Sequence, residues 1–246
     1  MSESQILQLL GPIVDQSLRL RKGPVPRSKH APKRIVAPAS FSGLDPSTLT
    51  TIQINDLSCA FTSDIPPPTL GCPLIWFPAE LVFGYPASTK SDVWQLAALI
   101  FYIYTDTAMF QVGIKVFYAL IAFVVQWHGP LLSSWRGKFD WSHYLYGQID
   151  PTKPPVTAPE PDCWFDGSLS TESFEDRIAE AASYLSPSQQ HELRRLLVDM
   201  VALEPEKRIS AAEADRHLRS PVIFEPVASE KSQEWKKRVH PVVLRE

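Results

Sequence analysis

Apolar positions with helical spacing are clearest in the last third of the chain. Leu193, Leu196, Leu197 and Met200 recur at i, i+3, i+4 and i+7, the stripe of an amphipathic helix. Ser186-Pro187-Ser188-Gln189 opens it, supplying an N-cap, a proline at the first helical position and a capping-box glutamine. After the break E-P-E-K-R, a second capping box from Ser210 to Glu213 predicts a helix ending near His217. Upstream, T-K-S-D-V-W-Q-L-A-A-L-I-F-Y-I-Y, residues 89–104, is apolar on nearly every side, which predicts a helix in the middle of a core. Another helix is expected over about 113–127, stopped by His128-Gly129-Pro130. A short one is expected in the first ten residues, where Ser2 and Gln5 form a capping box, Ile6, Leu9 and Leu10 a stripe, and Gly11-Pro12 a stop. Strand is scarce. The β-branched run Thr51-Ile52-Gln53-Ile54 predicts one, carrying Asp56 to the mouth of a proline-rich loop. The fold class that follows is mainly α.

The intervening stretches read as loops. Residues 15–34 are irregular and basic, with Arg19, Arg21, Lys22, Arg27, Lys29, Lys33 and Arg34; a solvated loop is expected, a docking patch being the alternative. Residues 40–50 continue as loop, 151–170 are proline-rich and acidic, a surface excursion, and the tail after Pro221 is a frayed terminus. No internal repeat is visible.

Composition narrows the function classes. At 246 residues, 44% hydrophobic and 21% charged, the chain is an ordinary globular one that fills one large domain or two small ones. A net charge of −3 argues against a nucleic-acid footprint on the whole chain. Cys59, Cys72 and Cys163 are odd in number and lack C-x-x-C spacing, so neither a disulfide framework nor a zinc site is suggested. The start M-S-E-S-Q-I-L-Q-L-L-G lacks the basic region and cleavage site of a secretory signal; a reducing location, cytoplasmic or nuclear, is expected. Residues 110–127 carry a single charge, Lys115. Spanning a bilayer needs about 20 predominantly apolar residues, and this run is slightly short, contains Gly113 and lacks a basic flank. A buried helix is expected there, and a membrane anchor is the alternative.

Order and spacing add more than any single motif. Asp56-Leu57-Ser58 follows the strand, Pro78-Ala79-Glu80 comes about twenty residues later, and Ser91-Asp92-Val93-Trp94 opens the buried helix. L-E-P-E-K-R, residues 203–208, lies between the two capped helices, and R-H-L, residues 216–218, closes the set. This series resembles the C-terminal lobe of a eukaryotic protein kinase, in which D-F-G and A-P-E are signature motifs. Asp56-Leu57-Ser58 stands at D-F-G, Glu80 at the glutamate of A-P-E, and Asp92 and Trp94 in D-x-W-x-x-G. H-G-P-L-L, residues 128–132, and the long insert before the Asp56 strand are most similar to the SR-protein kinase branch, especially its fungal members. The resemblance covers residues 2–224 and implies three parts: a short helix with a basic, proline-rich insert (1–50), the lobe from activation segment to last helix (51–224) and a tail (225–246).

The resemblance implies a serine/threonine kinase whose complete form passes the γ-phosphate of ATP to hydroxyls of a protein substrate, with Mg²⁺ as cofactor. Asp56 would be the metal-binding and cofactor-binding carboxylate. Glu80 and Arg208 would form a buried ion pair tying the activation segment to the last helices, and Asp92 would hold the catalytic loop from below. The other motifs of the signature set are not found: G-x-G-x-x-G-x-V, the V-A-I-K lysine and H-R-D-L-x-x-x-N. The catalytic loop is expected just ahead of the first helix, so no catalytic residue is assigned. Since positioning and electrostatics supply nearly all of phosphoryl-transfer catalysis, this chain alone is expected to be inactive. Ser58 replaces a glycine, Cys72 a threonine, Phe77 an arginine and Ala97 a glycine of the family pattern. A non-catalytic pseudokinase remnant that binds a partner protein is the alternative.

Overall fold

The structure, a computed structural model, describes residues 15–17, 34–36, 57–67, 70–111, 117–141, 159–169 and 172–220. The expected first helix, the 51–54 strand, Asp56 itself and the C-terminal tail lie outside these residues. The chain divides into two compact units, residues 1–57 and 58–246. In the first, β1 (Asp15–Ser17) and β2 (Arg34–Val36) pair antiparallel, with Gln16 opposite Ile35. The stretch read as wholly irregular thus begins and ends in paired strand. Arg34, one of the basic residues of the expected loop, bonds Asp15 at 2.5 Å across the pair; the two are diagonal neighbours on one face.

The second unit is helical and holds the core. Its elements are α1 (Ala79–Val82), α2 (Thr89–Thr105), α3 (Phe117–His128), α4 (Cys163–Asp166), α5 (Phe174–Ala181), α6 (Pro187–Met200) and α7 (Ala211–Leu218). The described residues are therefore mainly helical, as the periodicity predicts. Local chemistry explains the helix starts. Ser186 and Gln189 exchange bonds as a capping box, and so do Ser210 and Glu213. Each pair satisfies two donors that a helix start leaves orphaned. Ser88 and Ser91 do the same at α2, which ends on Asp106 in the left-handed region, φ 54°.

Helix α2 packs against α6, and α3 against α1, α4 and α5. From α2 the core takes Val93, Trp94, Ala97, Ala98, Ile100 and Phe101. The expectation that α2 is enclosed on nearly every side needs correction. Leu99, Tyr102 and Ile103 are exposed, Ile103 at 59%, and they share one face by their i, i+3, i+4 spacing. Helix α3 is twelve residues long, and among the described residues no helix is long and apolar enough to cross a membrane.

Two elements depart from the sequence reading. The 151–170 stretch, expected on the surface, sends Trp164 of α4 fully into the core. There its ring stacks on Trp141 at 5.9 Å, and its carbonyl accepts a bond from the Leu131 amide at 2.6 Å. Helix α5, capped by Ser173, was not anticipated; it buries Phe174 and Ile178.

Candidate functional site

The chain reaches Glu80 through a 3-10 turn at Leu74–Trp76, after which Pro78 caps α1. A proline there loses nothing, because the first amides of a helix have no partner inside it. Glu80 is 1% exposed. The other partner arrives from 128 residues away. A 3-10 turn at Pro205–Lys207 sets Arg208 in extended backbone between α6 and α7. Arg208 Nη1 donates to Glu80 Oε1 at 2.8 Å and Nη2 to Oε2 at 2.6 Å. The two side chains are 0% and 2% exposed.

A buried ion pair is tolerated only when its remaining hydrogen-bonding capacity is filled. Arg208 Nε donates to the Ala202 carbonyl at 2.8 Å, and Nη1 also to the Lys90 carbonyl at 3.0 Å. Ser91 Oγ donates to Glu80 Oε1 at 2.9 Å, so the residue that closes the α2 cap also serves the pair. Lys90 Nζ in turn donates to the Arg208 carbonyl. Trp94 lies flat beneath, its ring 4.8 Å from the guanidinium carbon, a cation–π contact strengthened by desolvation. Three distant segments, 78–80, 90–94 and 202–208, are thereby tied at one point.

His128 packs beside this knot, 5.9 Å from the Trp94 ring and 5.1 Å from Phe174. Desolvation of the ring, aided by the charge of Arg208, pushes its pKa down to about 4. The imidazole is neutral at ordinary pH.

A cleft of about 340 Å³ opens on the other side of α2, lined by Cys59, Phe61, Cys72, Ser88, Asp92 and Gln95 among others. The Asp92 carboxylate looks into it, exposed, and among the described residues no donor is bonded to it. Partial burial raises its pKa. Burial pushes the Cys72 thiol pKa up, opposed in part by the neighbouring Gln95 amide. Ser58, in the glycine position of the family pattern, sits in a 3-10 turn at Leu57–Cys59. Its φ is not positive, Asp106 being the one described non-glycine residue with that conformation. Glycine's freedom is therefore not required there. Phe77, in the arginine position, is buried edge-on to Phe117 of α3, ring centres 4.8 Å apart. The aromatic at 77 thus packs on the apolar helix α3. Ala97 is fully buried.

The structure brings Glu80, Trp94 and Arg208 together and leaves Asp92 apart in the cleft. Sequence reasoning missed His128 as a neighbour of the knot; its place at a helix end signalled a stop and gave no sign of burial. It also missed Lys90 and Ser91. Among the described residues no group of three or more His, Cys, Asp or Glu is placed to hold a metal ion. The described wall of the cleft offers one carboxylate, so these residues do not by themselves fit Mg²⁺ or the phosphates of ATP. Compared with known proteins, the chain matches no protein-family model and no curated protein.

Proposed function

We propose that this chain carries the C-terminal lobe of a serine/threonine protein kinase of SR-protein-kinase type, and that by itself it does not transfer phosphate. The complete enzyme would pass the γ-phosphate of ATP to Ser or Thr of a protein substrate. One observation carries the reading: the bidentate, buried Glu80–Arg208 pair on the face of Trp94. Its residues come from three of the motifs whose order suggested the lobe, and composition or periodicity alone gives no reason for them to meet. In this reading Glu80, Trp94 and Arg208 are structural. Asp92 faces the cleft where the catalytic loop would dock, and Asp56 is the descendant of a magnesium ligand. No transfer step is assigned to this chain's residues, because the base and the phosphate-binding lysine have no counterpart in the sequence.

The test is the genomic DNA upstream of the Met1 codon. An in-frame H-x-D-x-x-x-x-N preceded by V-A-I-K supports a kinase of which this is one part. Stop codons without a splice site support the second reading, a pseudokinase remnant acting as an interaction module. The exposed face of Leu99, Tyr102 and Ile103 favours that second reading, since contiguous apolar residues on a surface often mark binding sites.

A further inference from the structure

Two of the three cysteines stand on the same wall of the cleft. Cys59 is exposed, in the turn at Leu57–Cys59, and Cys72 is partly buried. Both line the cleft. Gly71, the residue before Cys72, lies against the Cys59 sulfur so closely that a Cβ on it would stand 3.2 Å from Sγ. The Cys59 sulfur therefore rests close against the backbone adjoining Cys72. The thiols are near enough that charge on Cys59 opposes ionisation of Cys72. Cys163 lies on α4 and does not line this cleft.

We infer that Cys59 and Cys72 are a redox pair, which a small-molecule disulfide such as oxidised glutathione converts to an intramolecular disulfide across the wall of the Asp92 cleft. The order of events follows from exposure. The Cys59 thiolate, formed by loss of its proton to solvent, attacks one sulfur of oxidised glutathione. The Cys59–glutathione S–S bond forms, the glutathione S–S bond breaks, and one glutathione thiolate leaves and takes a proton. Cys72, shielded from the bulky oxidant, then loses its proton and attacks Cys59 Sγ. The Cys59–Cys72 bond forms as the mixed disulfide breaks, releasing the second glutathione. Two cysteine thiols are oxidised and one glutathione disulfide is reduced to two thiols, so atoms and electrons balance. Bonding 59 to 72 closes a loop containing Pro66 and Pro67, and fixes one wall of the cleft relative to the other residues that line it. The inference is independent of the kinase reading, since it uses only the placement of two sulfurs.

The test is to incubate the purified full chain with excess oxidised glutathione, block free thiols by alkylation, and digest without reductant for peptide mass analysis. The expected product is a cross-linked peptide pair joining Cys59 and Cys72, two hydrogens lighter than the separate peptides, with Cys163 alkylated. In Cys72→Ser the reaction should stop at the Cys59–glutathione adduct. In Cys59→Ser, Cys72 should be modified at least tenfold more slowly than Cys59 is in the wild type. A stable Cys59–glutathione adduct in the wild type, with Cys72 alkylated, overturns the pairing. So does a dominant disulfide to Cys163 or between two chains.

Discussion

At the scale of single residues, the placement of Arg208 has the largest energetic consequence. Its guanidinium is fully buried and survives there because every nitrogen has an acceptor and the carboxylate opposite is held in register by Ser91. Arg208→Ala leaves Glu80 charged and desolvated, a loss of about 3–5 kcal/mol. At about 2–4 °C per kcal/mol for a unit of this size, the expected fall in Tm is roughly 6–20 °C by calorimetry. Arg208→Lys should recover only a small part of it, because an ammonium cannot make the paired bonds to both carboxylate oxygens. A Tm within a degree of wild type for either variant would contradict the energetic role given to the pair. His128 supplies a pH dependence of known sign. Its pKa is about 4 in the folded chain against 6.5 for the free side chain, so the unfolded state takes up a proton that the folded state refuses. Its contribution is complete above about pH 6.5 and is lost as pH falls toward 4. The size is on the order of 3 kcal/mol. Urea unfolding between pH 4.5 and 7 should show stability rising with pH, and His128→Phe should flatten that rise. None of this was legible from periodicity: residues 80 and 208 meet only through tertiary packing, and a histidine at a helix end looks the same in sequence whether buried or exposed.

At the scale of elements, the sequence was read well where the determinants are local. The capping boxes at Ser186 and Ser210 and the stripe of α6 are complete within a few residues, and each helix begins where its cap stands. Helices α4 and α5 escaped notice for the same reason in reverse. One spans a single turn, and the other has just two buried apolar side chains, Phe174 and Ile178, so neither generates a stripe. What holds α4 is Trp164, placed by partners far away in sequence. Strands β1 and β2 are three residues each and pair across sixteen intervening positions, too short for an alternation to be seen. Helix α2 illustrates the opposite error, since its uniform apolarity was taken for uniform burial. Its two sides should respond differently to substitution. Phe101→Ala removes a fully buried ring that stacks near Phe174 and should cost about 3–5 kcal/mol. Ile103→Lys, on the exposed face, should change stability by less than about 0.5 kcal/mol. Denaturant midpoints of the two variants check this, and equal losses would mean that the face is covered in solution.

At the scale of the whole molecule, the proposed inactivity of the chain rests on what its cleft offers a nucleotide. The motifs behind the proposed kinase resemblance lie at intervals along most of the chain, so the resemblance rests on their order and spacing. The chemistry has no comparable support. The described wall of the cleft presents one carboxylate, Asp92, and no cation among its lining residues to meet a phosphate. An acid without a metal and a lysine beside it repels the triphosphate. The chain should therefore bind Mg-ATP too weakly to matter. A ligand present at a hundred times its Kd stabilises the folded state by roughly 2.7 kcal/mol, which at about 2–4 °C per kcal/mol corresponds to a rise in Tm of roughly 5–11 °C. With Mg-ATP at several millimolar, the expected shift is nil, and Mg²⁺ alone should give the same curve. A rise of several degrees that requires both Mg²⁺ and nucleotide, and that Asp56→Asn abolishes, would show that the chain retains a working nucleotide site and would overturn the reading of this chain as inactive by itself. A rise that survives Asp56→Asn would overturn it as well, and would move the site to residues not considered for it so far.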